Sequence, residues 1–211
     1  MNDRSEKFRN LLVPVLSVVL GLILGAILMA AFGFQPIQGY SSMLDAALGS
    51  QRGIGETLRQ ATPLIFTALG FSVANSAGFF NIGLSGQALC GWIVSVWVAL
   101  AFPDLPKVVL LPLCVILGAL AGAMAAAVPG LLRAFFGTSE VIVTIMMNYI
   151  LLYVSTFALH EVMPESYRSS LDSSNMISQN ASLRLPWLTQ AFGGSRVNSG
   201  LFLAIIALIF F

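Results

Sequence analysis

Charged residues are scarce in this chain: Asp, Glu, Lys and Arg make up 9% of its 211 residues. A soluble globular domain carries about 25% charged residues, so the composition excludes an ordinary soluble domain. The net charge is only +1, which gives no indication of nucleic-acid binding. Histidine occurs once and cysteine twice, and both cysteines, Cys90 and Cys114, lie in apolar stretches. We therefore expect small buried hydrophobic residues there, not a disulfide or a metal site.

Long apolar runs are abundant instead, with 57% hydrophobic residues and a mean hydropathy of +0.89. A membrane-spanning helix needs about 20 apolar residues. The runs that approach or exceed this length are Leu11–Phe34, Thr62–Phe80, Leu84–Phe102, Lys107–Leu132 and Ser139–Leu159. A sixth run starts at Ser199 and is still apolar at Phe211, where a full span would need more residues. We predict an all-α fold: a single transmembrane domain over residues 1–211, a polytopic helix bundle with five full transmembrane helices and the start of a sixth, from a longer membrane protein.

The first apolar run follows a tail that contains three basic residues. A signal peptide has a shorter apolar region of about 7–15 residues, so we expect a retained helix. The basic residues favour a cytoplasmic tail at residues 1–10. Five crossings then place the Arg133 loop inside, and the turn at 103–107 and the long polar segment at 162–198 outside.

Small residues at four-residue spacing predict close helix packing in lipid. They form three ridges: Gly21 and Gly25; Gly70, Ala74 and Gly78; Gly118, Gly122 and Ala126. Between the first two apolar runs, residues 35–61 have apolar positions at helical spacing beside charged ones. This pattern fits short amphipathic helices in the outer interface, or an ordinary connecting loop.

Polar residues and glycines interrupt the apolar sequence at residues 79–88, FFNIGLSGQA. Each unsatisfied backbone group costs several kcal/mol in lipid, so such a segment is either buried in protein or lines a watery path. Broken helices at membrane depth recur at transport sites, although a purely structural kink is the alternative. We predict a broken helix here, with these candidate pathway residues: Asn81, Gly83, Ser85, Gly86 and Gln87.

The last long run carries polar residues on one helical face. Glu140, Thr144 and Asn148 follow each other at four-residue spacing, within about 80° around the helix. Asn75 is a further polar residue, in the second run. All four are candidate pathway residues, since polar groups inside a membrane usually face the bundle interior or a cavity.

Structural explanations remain open for two of these residues. Glu140 could be a helix N-terminal acid capped by Ser139 or Thr138. Asn148 could make a single interhelical hydrogen bond. Tyr149 and its apolar neighbours lie opposite the polar face and suit lipid or other helices.

A catalytic interpretation also exists, because Gly83-Leu84-Ser85-Gly86 matches the GxSG nucleophile motif of rhomboid-type intramembrane proteases. A nucleophilic serine needs a base within about 3 Å. In the predicted topology Ser85 lies towards the inner side or the middle of the membrane, whereas the single histidine, His160, lies at the outer end of the last long run. We therefore expect the two residues to be far apart and assign no catalytic residue.

Two segments together resemble bacterial ABC importer permeases of the simple-sugar, nucleoside and branched-chain amino-acid type. Residues 80–87, FNIGLSGQ, are similar to the FNIGxxGQ segment of that family, and residues 137–150, GTSEVIVTIMMNYI, to its GxxEVIxTIMxNYI segment. The segments 56–58 and 62–64 also fit the entry to its second helix. The nucleoside and simple-sugar branch fits best. Many relatives carry Glu where this chain has Ser85, so no role is carried over for that position.

The resemblance implies half of a translocation path for a small polar solute in a bacterial inner membrane. A second permease subunit would supply the other half, cytoplasmic ATPase subunits would bind ATP, and an extracytoplasmic solute-binding protein would deliver the solute. The chain itself would bind no cofactor or metal, and the loop that docks on the ATPase would lie beyond residue 211. Asn81, Gln87 and Asn148 would offer neutral amides to sugar hydroxyls or base edges. A secondary transporter or channel with a broken-helix site is the alternative.

Overall fold

The computed structural model describes residues 3–170 and 173–211, and these residues are mostly helical. The α-helices in chain order are α1 (Asp3–Ala31), α2 (Pro36–Leu48), α3 (Gln51–Ser76), α4 (Leu84–Ala101), α5 (Lys107–Phe136), α6 (Glu140–Phe157), α7 (Pro186–Ala191) and α8 (Gly200–Phe210). A short antiparallel pair, β1 (Arg168–Ser170) and β2 (Ser173–Ser174), interrupts the predicted all-α fold. Because α1 begins at Asp3, residues 3–10 of the predicted tail are helical, and residues 1 and 2 lie outside the described residues.

Within the described residues, four helical segments are long and apolar enough to cross a membrane: Leu12–Ala31, Leu84–Ala101, Lys107–Phe136 and Glu140–Val162. These four agree with predicted spans. The predicted second span, Thr62–Phe80, is not among them. Its helix runs from Gln51 to Ser76, so it includes polar residues before the apolar run and leaves out the last residues of that run. The count of five full spans is therefore not confirmed. The sixth run forms the shorter apolar helix α8.

The helices α4, α5 and α6 pack against one another, and the α4–α5 pair is the most extensive contact. Two glycines face each other in it: a Cβ on Gly91 would lie 2.8 Å from the carbonyl oxygen of Gly118. Ser95 donates from its hydroxyl to the carbonyl oxygen of Cys114 at 2.9 Å. A Cβ on Gly122 would lie 3.2 Å from the Gln87 carbonyl oxygen. The third predicted ridge is therefore a helix interface, since only hydrogen atoms fit between the two backbones.

The helices α1, α2 and α3 form a chain of pairwise contacts. The Tyr40 hydroxyl donates to the carbonyl oxygen of Leu22 at 2.7 Å and lies against Gly25, so one glycine of the first ridge is a packing site. The prediction of short amphipathic helices holds for α2 only. Residues 51–61 are instead the beginning of the long helix α3, whose N-terminus is capped by the Ser50 hydroxyl accepting from the Gly53 amide at 3.0 Å.

The segment after α6 folds back on α3. Its apolar side chains Leu188 and Val197 are buried and pack with Leu201 of α8 and Leu58 of α3. The carboxylate of Glu56 accepts from the Arg196 amide at 2.8 Å and from the Arg59 guanidinium at 2.6 Å. These two hydrogen bonds lower the pKa of Glu56 below its usual value, and the bond from the Arg196 amide has the larger effect. A lowered pKa means that this link is present at neutral pH and weakens only when the pH falls through the acidic range.

The close glycine contact between α4 and α5 predicts that alanine destabilises the protein at some glycines of α5 and not at others. Gly118→Ala places a methyl group against the Ser95 side chain and the Gly91 carbonyl oxygen, so we expect a clear loss of stability, about 1–3 kcal/mol. Thermal unfolding of the detergent-purified protein measures it. Gly130→Ala on the same helix is the control, because nothing lies within 4 Å of its added Cβ. Equal melting temperatures for the two variants would contradict the close contact.

Candidate functional site: the break between α3 and α4

The helix break begins where α3 ends in a left-handed glycine. Gly78 has φ +74°, and the Phe79 amide donates to the Ala74 carbonyl oxygen at 2.9 Å while the Gly78 amide donates to that of Asn75. This pair of hydrogen bonds is the pattern of a Schellman C-cap. The non-helical stretch runs from 77 to 83, so the break lies earlier than predicted, and Ser85, Gly86 and Gln87 belong to the first turn of α4.

Asn81 and Gln87 form a reciprocal amide pair inside the break. Asn81 Nδ2 donates to Gln87 Oε1 at 3.1 Å, and Gln87 Nε2 donates to Asn81 Oδ1 at 3.2 Å. The same Asn81 oxygen accepts from the Gly83 amide at 2.9 Å. Both side chains are buried, at 6% and 9% exposure. The pair thus joins the non-helical stretch to the first turn of α4 and satisfies its polar groups within the protein.

Two side chains of α6 hold the break from outside. Asn148 Nδ2 donates to the Ile82 carbonyl oxygen, and Asn148 Oδ1 accepts from the Gly86 amide, both at 2.9 Å. The Thr144 hydroxyl, fully buried, accepts from the Ile82 amide at 3.3 Å and donates to the Glu140 carbonyl oxygen at 2.7 Å. The predicted polar face of α6 therefore points into the bundle and supplies the hydrogen bonds that the broken backbone lacks.

Glycine is required at two points of this contact for reasons of space. A Cβ on Gly83 would lie 3.1 Å from the amide groups of Asn81 and Gln87, and one on Gly86 would lie 3.0 Å from Asn148. Such distances are too short for an unstrained side chain. The glycines of the motif allow α4 and α6 to approach until the amides can bond.

Arg133, at the end of α5, is a residue that the sequence interpretation missed as part of the site. Its guanidinium Nη1 lies 2.6 Å from a carboxylate oxygen of Glu140, donates to the Gly78 carbonyl oxygen at 2.6 Å, and stacks over the Phe79 ring at 5.6 Å. Glu140 is thus an ion-pair partner at the start of α6. Its predicted caps are absent, since the Ser139 side chain makes no cap bond and the buried Thr138 hydroxyl has no partner.

An open groove borders this network. It encloses about 380 Å³ between the break, α4 and α6, and Ser85, Gly86 and Asn148 line it. Ser85 is exposed. Asn75, the remaining candidate, has an exposed side chain on the last turn of α3 and lies outside the hydrogen-bonded network described here.

The catalytic alternative finds no support in this arrangement. His160 lies in the π-helical turn that follows α6, twelve residues beyond Asn148, which is about 18 Å along a helix. Ser85 and Asn148 line the same groove, so the serine and the histidine are separated by about this distance along the helix axis. No group of His, Cys, Asp and Glu among the searched residues could hold a metal ion.

The fold and the site define a multi-pass membrane protein built around a broken helix, an arrangement typical of transporters. The chain belongs to the family described as branched-chain amino acid transport system / permease component, which matches residues 53–211. This membership confirms the resemblance inferred from the two motifs.

Individual relatives narrow the comparison. The chain is 51% identical over 207 residues to the nucleoside ABC transporter permease protein NupB of Lactococcus lactis subsp. cremoris (strain MG1363), covering 97% of this chain and 57% of that protein. It is 40% identical to the guanosine ABC transporter permease protein NupP of Bacillus subtilis (strain 168), again over 97% of this chain and 57% of the relative. The chain therefore spans little more than half the length of these relatives. No solved structure matches it.

A more distant relative has a different named solute. The glucose ABC transporter permease protein TsgB13 of Haloferax volcanii is 36% identical over 146 residues, covering 69% of this chain and 38% of that protein. The similarity thus extends from nucleoside permeases to a sugar permease.

The doubly bonded amide of Asn148 predicts a structural cost. Asn148→Leu leaves the Ile82 carbonyl and the Gly86 amide without these partners, so we expect a destabilisation of about 1–3 kcal/mol. Chemical unfolding in detergent measures it. The matched control is Asn75→Leu, an exposed asparagine on α3, which we expect to change the free energy of unfolding by less than about 0.5 kcal/mol. A tolerated Asn148→Leu would show that the break does not depend on the two bonds of the Asn148 amide.

Proposed function

We propose that this chain is part of the permease subunit of an ATP-driven ABC importer for nucleosides. The observation that carries the proposal is the 51% identity to a nucleoside permease over 97% of the chain, which includes the break and the polar face of α6. The guanosine permease supports the same solute class. A simple sugar is the second candidate, favoured by the similarity to the glucose permease.

The chemistry of the break fits a neutral solute. Its polar side chains are the amides of Asn81, Gln87 and Asn148 and the hydroxyls of Thr144 and Ser85, which can donate to and accept from ribose hydroxyls and base edges. The charged groups beside it, Arg133 and Glu140, neutralise each other in an ion pair. A strongly charged solute would find no uncompensated partner in this network.

The candidate residues divide into two roles in this proposal. Both Ser85 and Asn148 border the open groove, where the exposed Ser85 is available to a solute on its path, whereas the amide of Asn148 is bonded to Ile82 and Gly86. Asn81, Gln87 and Thr144 act through the shape of the break, because their hydrogen bonds are directed to each other and to the backbone. Their contribution to transport is therefore to keep the non-helical backbone closed to lipid and in position.

The assembly around the chain is part of the same proposal. A second permease subunit, of the same or another sequence, completes the path, and two ATPase subunits bind and hydrolyse ATP on the cytoplasmic side. The N-terminus lies in the cytoplasm of a bacterial inner membrane, which places the Arg133 end inside. The segment 162–198 then lies outside, where a solute-binding protein delivers the nucleoside.

Uptake by the intact transport complex in liposomes tests this function. We expect labelled nucleoside to accumulate only when ATP is supplied to the ATPase subunits, and to do so without an ion gradient. The double variant Asn81→Ala/Gln87→Ala should lower uptake, because losing about 1–2 kcal/mol of stabilisation at the break shifts the equilibrium away from its working conformation by roughly 5–30-fold.

Ser17→Ala is the control for this double variant, since the Ser17 hydroxyl is exposed on α1 and bonds only within its own helix, to the Val13 carbonyl oxygen. Uptake driven by a proton or sodium gradient without ATP would replace the ABC proposal by a secondary transporter. Accumulation of glucose or ribose but not of nucleosides would assign the sugar branch.

A further inference from the structure

The groove beside the break is lined by an aromatic residue that the sequence pattern assigned to contacts with lipid or other helices. Tyr149 lines it together with Ser85 and Asn148, and the apolar side chains Ile82 and Leu152 complete its sides. The Tyr149 side chain is 62% exposed. The helical position opposite the polar face thus still reaches the mouth of the same groove, because the break of α4 leaves an opening next to it.

The size and composition of the groove match a small planar ligand. Its volume of about 380 Å³ lies at the lower end of the range of about 300–1,000 Å³ that small-molecule sites occupy. Such sites are mostly apolar with a few placed polar groups. Here the lining combines the Tyr149 ring with apolar side chains, and Ser85 and Asn148 belong to the same lining.

We propose that this groove is a subsite for the base of the transported nucleoside, with the Tyr149 ring as the stacking surface. The inference rests on the proposed function and adds to it the residue that reads the base. Every base presents a π-face that stacks on an aromatic side chain, so the subsite accepts purines and pyrimidines and favours the larger purine ring. In this role the Tyr149 ring contacts the base, and a solute without a planar ring gains nothing from it.

The test compares side chains at position 149 that suit a membrane equally well but differ in aromaticity. In nucleoside uptake by the intact complex, we expect Tyr149→Phe to keep KM within about twofold and Tyr149→Leu to raise it on the order of tenfold. The loss should be larger for guanosine than for uridine. A Tyr149 that only faced lipid or a neighbouring helix would tolerate leucine as well as phenylalanine, and that result overturns the inference.

Tyr153 provides the matched control, one turn further along α6. It is 71% exposed and is not among the residues that line the groove. Tyr153→Leu should leave KM unchanged, and a comparable effect at both positions would also refute the subsite. The amount of each variant in the membrane, measured by immunoblot, keeps a folding defect apart from a change in KM.

The proposed function and the base subsite fail in different ways. If the wild-type complex transports nucleosides with ATP and Tyr149→Leu behaves like Tyr149→Phe, the subsite is wrong and the function stands. If the wild-type complex transports a sugar and no nucleoside, both are wrong. The stacking surface is supported directly if Tyr149→Leu raises the KM for nucleosides while Tyr149→Trp keeps it near the wild-type value. Both variants must be present in the membrane in unchanged amounts.

Discussion

Backbone groups that leave a helix inside a membrane need partners from the protein itself, and most of this structure follows from that requirement. The stretch between α3 and α4 has lost its helical hydrogen bonds, and Asn148 and Thr144 of α6 supply replacements at Ile82 and Gly86. The break can therefore exist only where α6 lies against it. Local sequence and tertiary packing depend on each other here more tightly than in a continuous helix.

The surrounding packing serves the same contact. Glycines at the α4–α5 interface let the two backbones approach, and the short connection 137–139 keeps the start of α6 next to the end of α5. Arg133 then links α5 to the start of α6 through Glu140, and to the break through the Gly78 carbonyl oxygen and the Phe79 ring. A buried or half-buried ion pair gains stability only when both partners are well placed, and the carbonyl bond supplies the additional hydrogen bond that such a pair needs.

The sequence predicted the membrane class, four of the spans and the two halves of the site, because long apolar runs and polar interruptions are local patterns. It misplaced the break by several residues, because the local C-cap signal of Gly78 was interpreted only as packing, and because the bond from the Gly86 amide to Asn148 in the first turn of α4 depends on α6. Arg133 was interpreted only as a loop charge, because no spacing rule connects it with residue 78. Tyr149 was assigned to contacts with lipid or other helices by helical geometry alone, which cannot predict a groove between α4 and α6.

The amide bonds of the break have a consequence for local opening. Non-helical turns commonly exchange their amide hydrogens fast, because no neighbouring turn protects them. The amides of Gly83 and Gly86 are instead donors to the side chains of Asn81 and Asn148, within buried backbone. Exchange at Gly86 requires its bond to Asn148 of α6 to open, so its rate reports how often α4 and α6 part, whereas exchange at Gly83 reports the opening of the local bond to Asn81.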